Sequence, residues 1–551
     1  MVVIKSWERF QHYLYNDDEL GLLLDISRMN YSEQFFSEMA KDMEKVYGEM
    51  ELLENGALAN PDEGRMVGHY WLRNPDIAPS MEISQGIQDN IEDILCFAEQ
   101  IHHGEIAGEK GQAFRNILII GIGGSSLGPR FVSSALASPR NKMKSFFIDN
   151  TDPDGIDYVL GEIGNELDST LCIVISKSGG TIEPRNGMLE VKARYQGLGL
   201  SFPKHAVAVT QVGSQLAETS HKENWLKAFP MWDWVGGRTS VLSSVGLLPL
   251  ALQGIDISNL LEGAKDCDER TRCTDTQHNP GALLALMWYY ATQDQQGKQM
   301  VVLPYKDRLE LFTKYLQQLV MESLGKEKNL KGETVHQGIA VFGNKGSTDQ
   351  HSYVQQLLEG PDNFFVTLIE VLKDREGTSP IMAENSTSGE YLQAFLLGTR
   401  EALTEKRRES ITITVKEINA YTIGVLIALF ERAVSIYALL VGINAYHQPA
   451  VEMGKKVAGE AIELKNKVLD FLQRHPGKGF SVPEIAWEIQ AAEQQEMVFK
   501  ILLHLAINPE HEVNLEQGHS LLKSRFFIGT NSSDIQLLPQ GRQLPAKALF
   551  H

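Results

Sequence analysis

The sequence predicts an α/β protein with mainly parallel sheets in two three-layer α/β/α lobes, followed by a small helical C-terminal module. Three observations lead there. Short β-branched runs, several ending at Gly, Ser or Lys, are followed by helical patterns, as in βαβ units with helices on both sheet faces. The runs fall into two groups, before Gly254 and after Asn279. From about His475 the pattern changes to helices alone.

Taken in order, residues 1–60 are expected to be a helical segment. Met1 to Gly21 lacks the basic start, long apolar stretch and small-residue cleavage site of a secretory signal, which predicts a cytoplasmic chain. Residues 61–275 form the first lobe, with strands predicted over Asn116 to Ile120, Leu171 to Ile175 and His205 to Thr210. The charged segment from Glu262 to Gln277 reads as the join to the second lobe, residues 276–470, with strands over Gln299 to Leu303 and Gly338 to Phe342. The most apolar stretch, Tyr421 to Ile443, carries Glu431 and Arg432 at its centre, where bilayer insertion is costly. It reads as a buried core helix, and no membrane association is expected. Residues 471–551 are expected to be a helical extension whose Ser481 and Glu484 form a capping box.

Composition excludes several classes. At about 150 residues per domain, 551 residues make three to four domain equivalents. Hydrophobic residues at 43% and charged residues at 22% are the balance of a soluble globular protein with a sizeable core. A net charge of −20, with 51 Lys+Arg against 71 Asp+Glu, argues against a general nucleic-acid binder. Glu484, Glu488, Glu493 and Glu496 speak against a DNA-reading tail. Cys96, Cys172, Cys267 and Cys273 form no CxxC pair, so neither a disulfide framework nor a structural zinc site is expected.

Two loops carry anion chemistry. Gly121-Ile122-Gly123-Gly124-Ser125-Ser126-Leu127-Gly128-Pro129 follows a predicted strand, and glycines there let backbone N–H groups approach an anion at a helix N-terminus. A dinucleotide fingerprint would need glycine at Ser126. Ser176-Lys177-Ser178-Gly179-Gly180-Thr181, also at a strand end, offers three hydroxyls and one ammonium without a carboxylate, a donor set for one phosphate. No Walker A loop is present here.

Together with Gly236-Gly237-Arg238-Thr239-Ser240, Met321-Glu322-Ser323, Gln350-His351 and Val451-Glu452-Met453-Gly454-Lys455, in that order, these loops resemble the glucose-6-phosphate isomerase family. The resemblance covers roughly residues 60 to 470, and the strings SKSGGT, NKGSTDQH and NAYHQP are most similar to its plastid and cyanobacterial branch. It implies sugar-isomerase-type (SIS) lobes and an aldose-ketose isomerase of glycolysis and gluconeogenesis. That enzyme interconverts glucose 6-phosphate and fructose 6-phosphate through a cis-enediolate, without metal or organic cofactor. It also implies a homodimer whose active site is shared between subunits.

Such a reaction needs a carboxylate base beside the sugar and a positive group near the developing oxyanion. Glu322 ends a helical pattern with Leu309, Phe312, Leu316 and Leu319 as its apolar stripe, and shares another face with Gln318 at i and i+4. By composition alone a single Glu on a helix is a solvated residue; the resemblance makes Glu322 the base. Arg238 supplies a permanent cation for the enediolate. His351 and Lys455 are implied at ring opening, the histidine coming from the neighbouring subunit. Substrate contacts are implied for Gly124, Ser125, Ser176, Lys177, Ser178, Thr181, Gln318 and Gln448. The sequence departs from the family pattern at Thr239, Gly180 and His447, which bears on phosphate contacts more than on the reaction. Two alternatives share the loops: a non-catalytic sugar-phosphate sensor, which would not need the base, and an isomerase of a related sugar phosphate.

Overall fold

The computed structural model describes residues 2–293 and 297–529, which fall into two compact units, Met1–His447 and Gln448–His551. The last stretch of the expected C-terminal extension, 530–551, and the side chain of Lys455 lie outside the described residues.

Both large sheets belong to the first unit. The segment 1–60, expected to be helical, contains an antiparallel hairpin, β1 (Leu14–Asp17) and β2 (Leu22–Arg28), between the helices Val2–His12 and Phe35–Glu54. Leu22, Leu24 and Ile26 are buried, so the hairpin is held by tertiary burial that a local helix count cannot register. β3 (Asn116–Ile120), β4 (Lys144–Ile148), β5 (Thr170–Ile175), β6 (Ala206–Thr210) and β7 (Lys227–Pro230) form an all-parallel sheet in the order β4-β3-β5-β6-β7. Alternate residues of β3 serve opposite faces. Ile117 and Ile119 pack in one core with Phe131 of the helix Leu127–Ala135, while Leu118 and Ile120 pack in another with Val191 of the helix Ile182–Gly197. The strand order reverses between β3 and β5, so their C-terminal loops meet at the switch point where open α/β sheets bind ligands.

The second large sheet joins β1 and β2 to β8 (Gln299–Pro304), β11 (Val341–Phe342), β12 (Phe364–Val371) and β13 (Ser410–Val415), while β9 (Lys326–Lys328) and β10 (Thr334–Gln337) form a separate hairpin. Its order is β1-β2-β13-β12-β8-β11, parallel except where the N-terminal hairpin docks antiparallel on β13. Val301, Val366 and Leu368 face Leu396 and Leu403 of the helix Ser388–Glu405, whereas Met300, Val302 and Ile413 face the main core.

The segment Glu262 to Gln277, read as a charged join, is mostly the helix Ile257–Thr271, and its Asp268 is fully buried. Arg73 grips Asp268 through Nε at 2.7 Å and Nη2 at 2.8 Å, and also pairs with Glu431. Arg432 donates to Asp268 at 3.0 Å and pairs with Glu54, which accepts from Arg272 at 2.7 Å. Glu431 and Arg432 lie mid-way along the helix Ala420–Val441, 89% buried in its most apolar window, as a core helix should be. This helix is the one among the described residues long and apolar enough to cross a membrane.

The second unit has its own core of Val468, Leu472, Ile485, Val498, Leu502 and Phe526. Glu484 accepts from the Ser481 backbone N–H at 2.7 Å, as a capping-box acid does. The unit is not helical throughout: β14 (Val513–Glu516) and β15 (Arg525–Ile528) pair antiparallel, too short to show a period-2 pattern in sequence.

Asp268→Asn keeps the volume but leaves Arg73 and Arg432 short of a buried counter-charge. It is expected to destabilise the fold by about 3–5 kcal/mol, read as a lower urea midpoint. A wild-type midpoint would show that the cluster is electrostatically idle.

Candidate active site

The site grows from the two loops at the switch point. Gly121–Ser126 turns through a short 3-10 segment, Gly123–Ser125, before the helix Leu127–Ala135. Gly124 is where glycine is required: a Cβ there would lie 1.9 Å from the Gly237 carbonyl oxygen. A Cβ on Gly237 would meet nothing within 4 Å. Of the two backbones that meet here, the one that requires glycine is therefore that of Gly124. Ser240 reinforces the junction, its hydroxyl donating to the Gly237 carbonyl at 2.7 Å and the Gly124 carbonyl at 3.4 Å.

The second loop, Ser176 to Thr181, ends β5 and leads into the helix Ile182–Gly197. Gly179 has φ +71° and a Cβ there would sit 2.3 Å from the Leu216 nitrogen, so no other residue fits. Ser176 Oγ accepts from the Gly179 N–H and Ser178 Oγ from the Gly180 N–H, both at 3.2 Å. The Thr181 hydroxyl makes no hydrogen bond with a described residue and stands at the helix N-terminus, a place suited to an anion. Lys177 is differently engaged. Its ammonium donates to the carbonyls of Asp233 at 2.8 Å and Val235 at 2.9 Å, tying the phosphate-type loop to the segment that leads into Gly236-Gly237-Arg238. Burial pushes its pKa down to about 8.

Glu322 ends a π-helical turn, Gln317–Glu322, within the helix that runs from Phe312, a local widening common at functional sites. Its Oε2 accepts from Gln318 Nε2 at 2.9 Å and lies 3.4 Å from Arg238 Nε. A Cβ on Gly123 would come within 3.1 Å of Gln318 Nε2, so the first loop reaches the same point. The Arg238 side chain is 5% exposed and that of Glu322 23%, leaving the carboxylate as the accessible member of the pair. Arg238 Nη1 donates to the Ala445 carbonyl at 2.5 Å, which fixes the guanidinium plane. Burial lowers the Arg238 pKa from its ordinary value, with Glu322 opposing that shift.

The structure thus brings together Gly124, Ser125, Arg238, Gln318 and Glu322, with the loop bearing Ser176, Ser178 and Thr181 on the adjacent strand. His351 is exposed on the 3-10 turn Thr348–His351, and its imidazole makes no hydrogen bond or ion pair with a described residue. Its neighbours are anchored: buried Asp349 accepts from the Asn344 N–H at 2.8 Å and Gln350 donates to Thr399 at 2.5 Å. Gln448 and Lys455 belong to the second unit, in and just before the helix Pro449–Gln473. His447, a departure from the family pattern, has its Nε2 3.7 Å from Asp62 Oδ2, and burial lowers its pKa. Thr239 is buried with its hydroxyl on the Gly236 carbonyl at 3.4 Å. Sequence reasoning did not single out Lys326, Ser240 or the carbonyl of Ala445, although Lys326 stands four residues after Glu322, the spacing of facing helix positions.

Gly124→Ala is expected to lower the unfolding temperature, in line with the about 1–3 kcal/mol that overpacking costs, while Gly237→Ala leaves it unchanged. Calorimetry of the pair decides; equal melting temperatures would deny the close approach.

The phosphoglucose isomerase family profile matches residues 25–471. A relative named glucose-6-phosphate isomerase, from Desulfitobacterium hafniense strain Y51, is 74% identical over 529 residues, 96% of this chain and 99% of the relative. A cyanobacterial one, from Trichormus variabilis, is 57% identical over 94% of this chain and 98% of its own length. The crystal structure of a glucose-6-phosphate isomerase from Chlamydia trachomatis superposes with a TM-score of 0.76 at 27% identity, over 83% of this chain and 90% of that one. With a carboxylate, an amide and a guanidinium gathered at the switch point, and relatives this similar along nearly the whole chain, the protein belongs to the phosphoglucose isomerase family.

Proposed function

We infer that the chain interconverts D-glucose 6-phosphate and D-fructose 6-phosphate by moving a proton between C1 and C2 through a cis-enediolate, as an enzyme of glycolysis and gluconeogenesis in the cytoplasm. The observation that carries this reading is the accessible Glu322 carboxylate held between Gln318 at 2.9 Å and buried Arg238 at 3.4 Å. Glu322 takes the proton from C2 of the open-chain aldose and returns it to C1. The enediolate oxygen develops charge next to the guanidinium, which needs no proton transfer and is already oriented by the Ala445 carbonyl. Gln318 limits the swing of the carboxylate and orients a sugar hydroxyl. The phosphate is received by Gly124, Ser125, the hydroxyls of Ser176, Ser178 and Thr181, and the helix N-terminus behind them, while Lys177 ties its own loop to the segment that leads into Arg238.

Ring opening is assigned to Lys455 and to His351, the latter lent by the partner in a homodimer. The exposed imidazole of His351, without a hydrogen bond or ion pair among the described residues, supports that assignment: a group serving a neighbour's pocket has to face outward from its own chain.

Glu322→Gln keeps the shape but cannot accept the carbon-bound proton. A loss of at least about 10²-fold in kcat with a modest change in KM is expected in a coupled assay of fructose 6-phosphate conversion. Near-wild-type turnover would remove Glu322 as the base.

Mixing the inactive variants His351→Ala and Glu322→Gln under subunit exchange tests the shared site. In a hybrid dimer one site receives both lesions and the other neither, so about a quarter of wild-type activity should return at random mixing. Absence of recovery despite demonstrated exchange would place His351 in its own subunit's chemistry or outside catalysis.

A further inference from the structure

The steps above leave unused a buried cation four residues beyond the base. Lys326 opens β9 and is 5% exposed. Its ammonium donates to the backbone carbonyl of Glu322 at 2.7 Å and to that of His447 at 3.0 Å. The first contact falls in the last turn of the helix bearing Glu322, where carbonyls lack intrahelical partners and a cation is favourable. The second falls on the segment Ala445–His447, whose first carbonyl also receives Arg238 Nη1 at 2.5 Å. Base and oxyanion cation are therefore tied to one strap: Arg238 directly, and Glu322 through Lys326.

We propose that Lys326 is a positioning residue for the isomerisation, its ammonium locking the peptide of Glu322 to the Ala445–His447 strap so that the carboxylate meets both the sugar carbon and Arg238. The proposal rests on the isomerase reading given above. The charge matters as well as the hydrogen bonds. Glu322, Asp62, Arg238 and His447 are the ionisable groups facing Lys326: the two acids favour its protonated form, and Arg238 opposes it. Burial brings its pKa down to about 8, so the charged form, with the stronger hold on the two carbonyls, prevails below that pH and gives way to the weaker neutral donor above it.

The test compares pH profiles of kcat and kcat/KM for fructose 6-phosphate in the wild type, Lys326→Met and Lys326→Arg. Lys326→Met is expected to lose about tenfold or more in kcat, with KM within about twofold, because a small misplacement of the base is costly to the chemical step. Its alkaline fall near pH 8 should vanish, because the titrating ammonium is gone. Lys326→Arg should recover most of the turnover and carry the alkaline limb upward, its guanidinium remaining charged. A wild-type kcat in Lys326→Met, or a reduced kcat with the alkaline limb unmoved, overturns the proposal. If Lys326→Met does not fold, an alkaline limb unmoved in Lys326→Arg overturns it equally. A wild type without turnover overturns the isomerase reading itself, and the proposal with it.

Discussion

Glu54, Arg73, Asp268, Arg272, Glu431 and Arg432 come from four separate stretches of chain and meet largely out of water. Three carboxylates face three guanidinia, so desolvation is tolerable only while every member keeps its partners. Such a cluster adds less to stability than an apolar core of equal volume would, but it dictates one arrangement of the helices Phe35–Glu54, Ile257–Thr271 and Ala420–Val441. The Tyr70 ring lies 4.1 Å from the Arg432 guanidinium and 5.0 Å from that of Arg73. Its hydroxyl donates to Ser435 at 2.7 Å, and Tyr446 donates to the same oxygen at 2.9 Å. Ala445, which precedes Tyr446, orients Arg238. An unbroken run of contacts thus leads from the buried charges to the guanidinium beside the carboxylate.

Much of this arrangement was legible in the sequence where local signals suffice. β3 spans the predicted Asn116 to Ile120, and β5 and β6 differ by a single residue at one end. Both phosphate-type loops lie at strand ends, as their Gly and Ser content requires. Gln318 and Glu322 touch, as their spacing implies, even though the helix widens between them. β12 was not legible in the same way: Thr367 and Glu370 interrupt its apolar run, and Leu372 follows it in place of the Gly, Ser or Lys that marks several of the others.

What the sequence concealed was pairing at long range. Asp268 reads as one more charge in an acidic stretch, because the arginines that neutralise it stand at positions 73 and 432. Lys177 reads as a phosphate ligand until the carbonyls of Asp233 and Val235 come within reach of its ammonium. The need for glycine at 124 rather than 237 is a property of two backbones meeting, which neither loop carries alone.

The docking of the N-terminal hairpin on β13 has a bearing on how the chain is made. Leu24 pairs with Ile413, so roughly 390 residues must follow β2 before its partner exists. At about 5–20 residues per second, the apolar edge of that hairpin waits on the order of 20–80 s on the ribosome, with buried-type Leu22, Leu24 and Ile26 uncovered. The interval invites holdase chaperones and penalises slow translation downstream. The first strands synthesised are among the last to be satisfied.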